Sequence, residues 1–381
     1  MIVLDRWQRA GLLAAGAGLL AVVAGLIFSP GRTWPALLVG NVYLLSLALA
    51  GALFIAIHYL AGAGWWVVVR RVAEAMMAGL PVVALLLLAL FFGRHALYPW
   101  AGAAGGEHAP LAGGKAAWLS TPFVFARMAV VLLAWVLLAR ALRRASLRQD
   151  QDADLGHHRR LVHVSAAFVV VFALSFSLAG VDWLMSLDPH WYSTMYAVYL
   201  FAGLLVSGIA VLTVIVLLLR RAGPLAGVVT EEHLHDLGRL VFAFSTFWAY
   251  IWLSQYLLIW YGNLPEEVTH YVRRTRGGWS VLFFLNLALN WAVPFLVLMP
   301  RAAKRHPRVL GAVCLVVLLG HWLDLYLLVG PERLASPALG PLELLVAAGY
   351  TGLFLALTAR ALGQAPLLPR NDPYLAESLG R

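Results

Sequence analysis

Ten apolar runs, each roughly 20 residues or longer, alternate with short polar segments along the 381-residue chain. They cover 9–28, 36–60, 72–93, 119–139, 161–186, 193–219, 238–261, 277–299, 308–330 and 340–362, here numbered spans 1 to 10. At about 1.5 Å rise per residue, a helical run of this length crosses a bilayer core. A membrane barrel would instead show alternating segments of about ten residues. The pattern predicts an all-α integral membrane protein with about ten transmembrane helices. Arg6 and Arg9 precede an apolar stretch that ends in Ser29-Pro30-Gly31 without a small-residue cleavage site, which predicts a first span that is kept.

Composition agrees with this picture and narrows it. Residues are 62% hydrophobic and 12% charged, about half the charged share of a soluble protein, too little to coat a water-facing surface. Soluble enzymes, nucleic-acid binders and disordered regulators are excluded. The net charge of +10 follows from topology. Of the 28 Lys and Arg residues, 20 fall in the segments on the N-terminal side of the membrane, 7 on the other side, and Arg127 within span 4. The positive-inside bias then places both termini in the cytoplasm. The single cysteine, Cys314, excludes disulfides, Cys-ligated iron–sulfur clusters and c-type haem attachment.

The loops are short. The longest on the outer side, 94–118, carries His95, Glu107 and His108 and is read as an irregular cap rather than a metal site; the inner 140–160 segment is read as a charged linker. A weak internal echo relates Gly180-Val181-Asp182-Trp183-Leu184 to Gly320-His321-Trp322-Leu323-Asp324, and Trp118-Leu119-Ser120 to Trp279-Ser280. It suggests a single membrane domain built of two four-helix bundles, spans 2–5 (36–186) and spans 6–9 (193–330), with spans 1 and 10 as flanks.

Ionisable groups inside the spans carry the candidate chemistry, because a charge at the bilayer centre costs about 2.5–3.5 kcal/mol and faces a partner, a cavity or an ion path. Arg127, Asp182, Gln255, His321, Asp324 and Glu343 fall in the outer half of their spans, and Asn286 and Asn290 continue this polar set toward mid-depth. His321 and Asp324, three residues apart, share a helix face. Glu74 and Asp236 are inner-side candidates, alongside His58, His163, Glu232, His233 and His235. Two readings stay open. Arg127 pairs with Asp182 or Asp324 and the remainder act as interhelical glue; or the set binds a polar headgroup or carries protons from the outer face. A haem b needs two histidines at matched depth on facing helices. His58 and His163 match but sit at inner helix ends, and His321 has no partner at its depth, so neither haem nor metal is expected. The outer rim is aromatic, with Trp183, Trp191, Tyr192, Tyr196 and Tyr199 near spans 5 and 6, and Trp248, Tyr250, Trp252, Tyr256, Trp260 and Tyr261 on span 7. An interfacial belt accounts for most of them. The deeper Trp248, Tyr250 and Trp252 suit packing, a flat ligand or a partner helix.

Four stretches together resemble one family: DWLMSLDPHWYSTMY from Asp182 to Tyr196, SQYLLIWYGNLPEE from Ser254 to Glu267, NWAVPF from Asn290 to Phe295 with Arg301, Lys304 and Arg305 beyond it, and HWLDLY from His321 to Tyr326. They are similar to the smaller of the two NrfD-like (polysulfide reductase-like) membrane subunits of bacterial alternative complex III, a quinol:electron acceptor oxidoreductase. The resemblance covers spans 5 to 9 and, through the ten-span layout, the whole chain. It implies a bacterial inner (cytoplasmic) membrane location, two four-helix bundles with two flanking helices, and a larger NrfD-like quinol-binding sister as partner. Multihaem cytochrome c and iron–sulfur subunits would hold the redox groups, so this chain would bind no cofactor of its own beyond a possible quinol or quinone. It also implies a role in proton translocation or quinol-site architecture. Where the family motif is expected to carry Arg, this chain has His321, which exchanges a fixed charge for a titratable group. A secondary transporter and a structural anchor for redox subunits remain as alternatives; a transporter would show broken helices at mid-membrane and an inverted repeat, whereas Pro81 and Pro294 are the main mid-span breaks and the echo is parallel.

Overall fold

A computed structural model of the chain describes residues 2–102 and 113–381. Glu107 and His108 lie outside the described residues. Every described element is helical. Ten helices among the described residues are long and apolar enough to cross a membrane: Val3–Phe28, Pro30–Leu60, Val67–Leu97, Thr121–Gln149, Leu155–Leu187, Tyr196–Arg221, Glu231–Gly262, Gly278–Leu298, Pro307–Arg333 and Pro341–Leu362. These are spans 1 to 10 of an all-α multi-pass membrane architecture. Ten crossings bring both chain ends to one end of the bundle, called the terminal end below; the other is the distal end.

Helix ends outrun the apolar runs wherever strong helix formers continue them. The charged segment after span 4 is not a linker from 140 onward: helix persists to Gln149 and resumes at Leu155, because Ala, Leu and Arg dominate 139–148 with no Gly or Pro to stop it. Asp154 then caps span 5 by accepting a hydrogen bond from the Gly156 amide at 2.8 Å. The segment between spans 7 and 8 is likewise no simple loop. Pro265–Thr275 forms an amphipathic helix with Glu266 and Glu267 in its first turn and Arg273 and Arg274 in its last, the charge order the helix dipole favours.

Span 2 is the axis of the molecule. Its most apolar stretch is entirely buried, and it packs on spans 3, 5, 6, 9 and 10. Small residues make this possible: a Cβ added at Gly208 of span 6 would lie 2.1 Å from the Ala50 Cβ of span 2. Spans 2, 3, 4 and 5 close one ring of neighbours and spans 6, 7, 8 and 9 a second, the two meeting through the contacts of span 2 with 6 and 9 and of span 5 with 6. Span 1 lies along span 10, where a Cβ on Gly18 would fall 2.5 Å from the Gly349 Cα. Such close backbone approach is how helices associate where lipid removes the hydrophobic drive.

Spans 3 and 8 are each irregular ahead of a proline. Span 3 breaks at Ala78–Gly79 ahead of Pro81. In span 8 the turn Ala288–Ala292 widens to a π-helix immediately before Pro294. Proline has no N–H to give the fourth residue back and its ring crowds that residue's carbonyl, here Asn290, so the wider turn relieves both.

Candidate functional site

The intramembrane carboxylates fall into separate surroundings rather than one pocket. Asp182 of span 5 accepts from Arg127 Nε at 2.8 Å and from Trp118 Nε1 at 2.9 Å. The Arg127 guanidinium also lies over the Trp118 and Phe123 rings, 4.0 and 4.2 Å from their centroids. Glu343 of span 10 accepts both nitrogens of a bidentate Arg32, at 3.0 and 2.8 Å, and the Gly340 amide at 2.9 Å. At the terminal end, Glu74 is held by Arg70, Arg71 and Ser146, within a buried network that also draws in Asp150 and Asp372 of the C-terminal tail. Asp236 faces Arg239 and Arg381. Each of these four candidates has a counter-ion.

Asp324 has none among the described residues. It is buried, 3% exposed, and three neutral donors hold it: Asn286 Nδ2 on Oδ1 at 2.7 Å, the Tyr199 hydroxyl on the same oxygen, and Trp248 Nε1 on Oδ2 at 3.2 Å. Hydrogen bonds to a charged group contribute about 1.5–3 kcal/mol each, while moving one ion out of water costs several. The donors thus offset the burial of this charge without neutralising it. A carboxylate so placed can take up a proton without breaking an ion pair, which Asp182 and Glu343 cannot.

The other members of the polar set crowd around it. Asn290, set by the widened turn of span 8, donates to the Asn286 side-chain oxygen at 2.7 Å and orients it toward Asp324. Gly320 opposite leaves room: a Cβ there would sit 2.8 Å from Asn290 Nδ2. His321 also points at span 6, and a Cβ on Gly203 would lie 3.0 Å from its ring and 3.7 Å from Asp324 Oδ2. Both imidazole nitrogens of His321 are buried without a hydrogen-bond partner among the described residues. Asp324, His321, Asn286, Asn290 and Gln255 thus belong to one site, within the second ring of spans.

Between Asp324 and the distal end lies a cavity of about 20 Å³ bordered by Tyr199, Gln255, Asn286, His270 and Arg274, room for one or two waters. The Gln255 Nε2 is buried without a hydrogen-bond partner among the described residues. The Pro265–Thr275 helix roofs the cavity. Its Arg274 donates to the carbonyls of Leu327 at 3.0 Å and Leu328 at 3.2 Å and to Glu332 Oε1 at 3.0 Å, tying the roof to the end of span 9. Arg273 binds Glu332 and, at 3.0 Å, Asp188. His270 stacks on Trp191 with centroids 3.9 Å apart.

Burial, aided by Arg274 and then Arg273, holds the His270 imidazole well below the usual histidine range. Glu332, 3.8 Å away, is already committed to both arginines. The folded protein therefore keeps His270 neutral, whereas the unfolded chain protonates it near pH 6.5. Stability should fall as pH drops below about 6.5, because the unfolded state then binds the extra proton. Thermal unfolding from pH 8 to 5 checks this: His270→Gln should flatten the slope over that window.

Several of these residues were not singled out for this site from the sequence. Trp248, set apart by its depth as suited to packing, a flat ligand or a partner helix, is a hydrogen-bond donor to the carboxylate; Trp252 is buried in the same wall, and Tyr250 points outward, 65% exposed. Tyr199 carried no more signal than its aromatic neighbours. Arg274 and His270 could have been found through the amphipathic pattern of 265–275; Glu332, at the end of span 9, joins them only through packing. Compared with known proteins, the chain matches no family model and no curated relative.

Proposed function

We propose that this chain is the membrane subunit of a quinol-oxidising respiratory complex of the alternative complex III type in a bacterial inner membrane, and that Asp324 exchanges protons with the distal side while partner subunits transfer the electrons. One observation carries the reading: Asp324 is a buried carboxylate with no ion-pair contact among the described residues, beside a water-sized cavity that His270 and Arg274 of the distal helix border. Quinol oxidation releases protons together with electrons, and in this reading the redox groups sit on partner subunits while this chain serves the protons. The route runs from Asp324 past Tyr199 and Gln255, under Arg274, toward Glu332 and Asp188. Asp182 and Glu343 act as structural pairs that hold spans 4 to 5 and 2 to 10. A cavity of about 20 Å³ favours protons over a quinol headgroup or a transported solute, since small-molecule sites span about 300–1,000 Å³.

The test of the complex is purification of the tagged chain from native membranes in mild detergent. Multihaem cytochrome c and iron–sulfur subunits should co-purify. Recovery as a lone homo-oligomer that moves solute in liposomes would replace this reading with the transporter.

A further inference from the structure

At the terminal end, far from Asp324, a groove of about 1030 Å³ runs between the end of span 6 and the start of span 9. We infer that it binds one anionic phospholipid, an acyl chain lying along its apolar wall and the phosphate held by Arg220, Arg221 and Arg308.

The wall is made by Val214, Leu217, Leu218 and Leu315, and Gly311 and Ala312 thin span 9 enough to open the slot. Leu218 and Leu315 are 39% and 53% exposed. The rim is cationic. Arg220 and Arg221 stand in the last turn of span 6, and Arg308 in the first turn of span 9 beside Pro307. None of the three guanidiniums has an acidic or hydrogen-bonding partner among the described residues. Their neighbours differ: Arg305 is paired with Glu232, and Arg70 and Arg71 are enclosed by carboxylates. Three unpaired cations directly above an apolar trough, at the level where the apolar run gives way to basic residues, match a headgroup over its own acyl chain. A basic pocket between transmembrane helices selects anionic lipids. The amide end of span 9 adds a favourable dipole for a phosphate, while an acidic segment of a protein would leave the apolar trough unfilled.

Native mass spectrometry of the detergent-purified chain, offered equal phosphatidylglycerol and phosphatidylcholine with the same acyl chains, tests this. Each arginine near the surface is expected to contribute roughly fivefold to retention of the anionic lipid, so R220Q/R221Q/R308Q should lose more than tenfold of the preference. Ala312→Phe, which fills the slot and leaves every charge in place, should lose retained lipid as well. R140Q/R144Q/R148Q, an equal charge change on exposed positions outside the groove, should leave retention unchanged. Equal retention of both lipids by the native chain, full retention by the groove variants, or displacement by inorganic phosphate alone would overturn the assignment. So would loss of the lipid only in the assembled complex, which would give the groove to a partner subunit.

Discussion

Asp324→Asn in the assembled complex is expected to slow quinol-driven proton release by roughly a hundredfold, the low end of what a positioned acid–base group contributes. The substitution keeps the shape of the side chain and removes its proton exchange. It also has a structural side effect, because all three neighbours of Asp324 are donors. An asparagine can present its oxygen to Asn286 and Tyr199, but its amide then faces Trp248 Nε1, donor against donor. Leaving such groups unmatched costs about 1–3 kcal/mol. The two effects separate in a pair of variants. Adding Trp248→Phe to Asp324→Asn removes the opposing donor, so stability should recover while proton release stays slow. Turnover and proton release unchanged in Asp324→Asn would remove this carboxylate from the mechanism.

The spans were legible because crossing a bilayer takes a long unbroken apolar run, and nothing in a polar loop imitates that. Their ends were less so. Helix in 140–149 and in 265–275 is written in propensity and end charges, a signal that the search for apolar length overlooks. The carboxylates within the spans were visible for the same reason as the spans, since each interrupts an apolar run. Their partners were not. Arg127 had two acidic candidates, and the choice of Asp182 is made by spans 4 and 5 packing side by side. The separation of Asp182 and Glu343 from Asp324 has the same origin, because equal depth in the bilayer says nothing about which ring of helices a residue faces. Trp248 shows a further limit: its depth separates it from the headgroup belt, but an indole N–H that serves a buried carboxylate has the same sequence signature as one that only packs.

Arg127→Ala is expected to destabilise the protein by about 3 kcal/mol, the lower end of the 3–5 kcal/mol range for breaking a buried pair. The lower end applies because Arg127 retains 14% side-chain exposure against 2% for Asp182, so some water can reach the orphaned carboxylate. The loss combines the 2.8 Å contact with Asp182, the 3.0 Å bond to the Trp118 carbonyl and the stacking over two rings. Among the described residues, what remains for the Asp182 carboxylate is the Trp118 Nε1 donor. The double variant Arg127→Met with Asp182→Leu removes both charges together and should regain most of the stability, as apolar replacement of buried pairs generally does. Unfolding of the purified chain in detergent measures the first value and the recovery. Proton release by the assembled double variant then decides the role of the pair: a rate close to that of the native complex makes the pair structural, and a rate as low as that of Asp324→Asn would place Asp182 on the proton route.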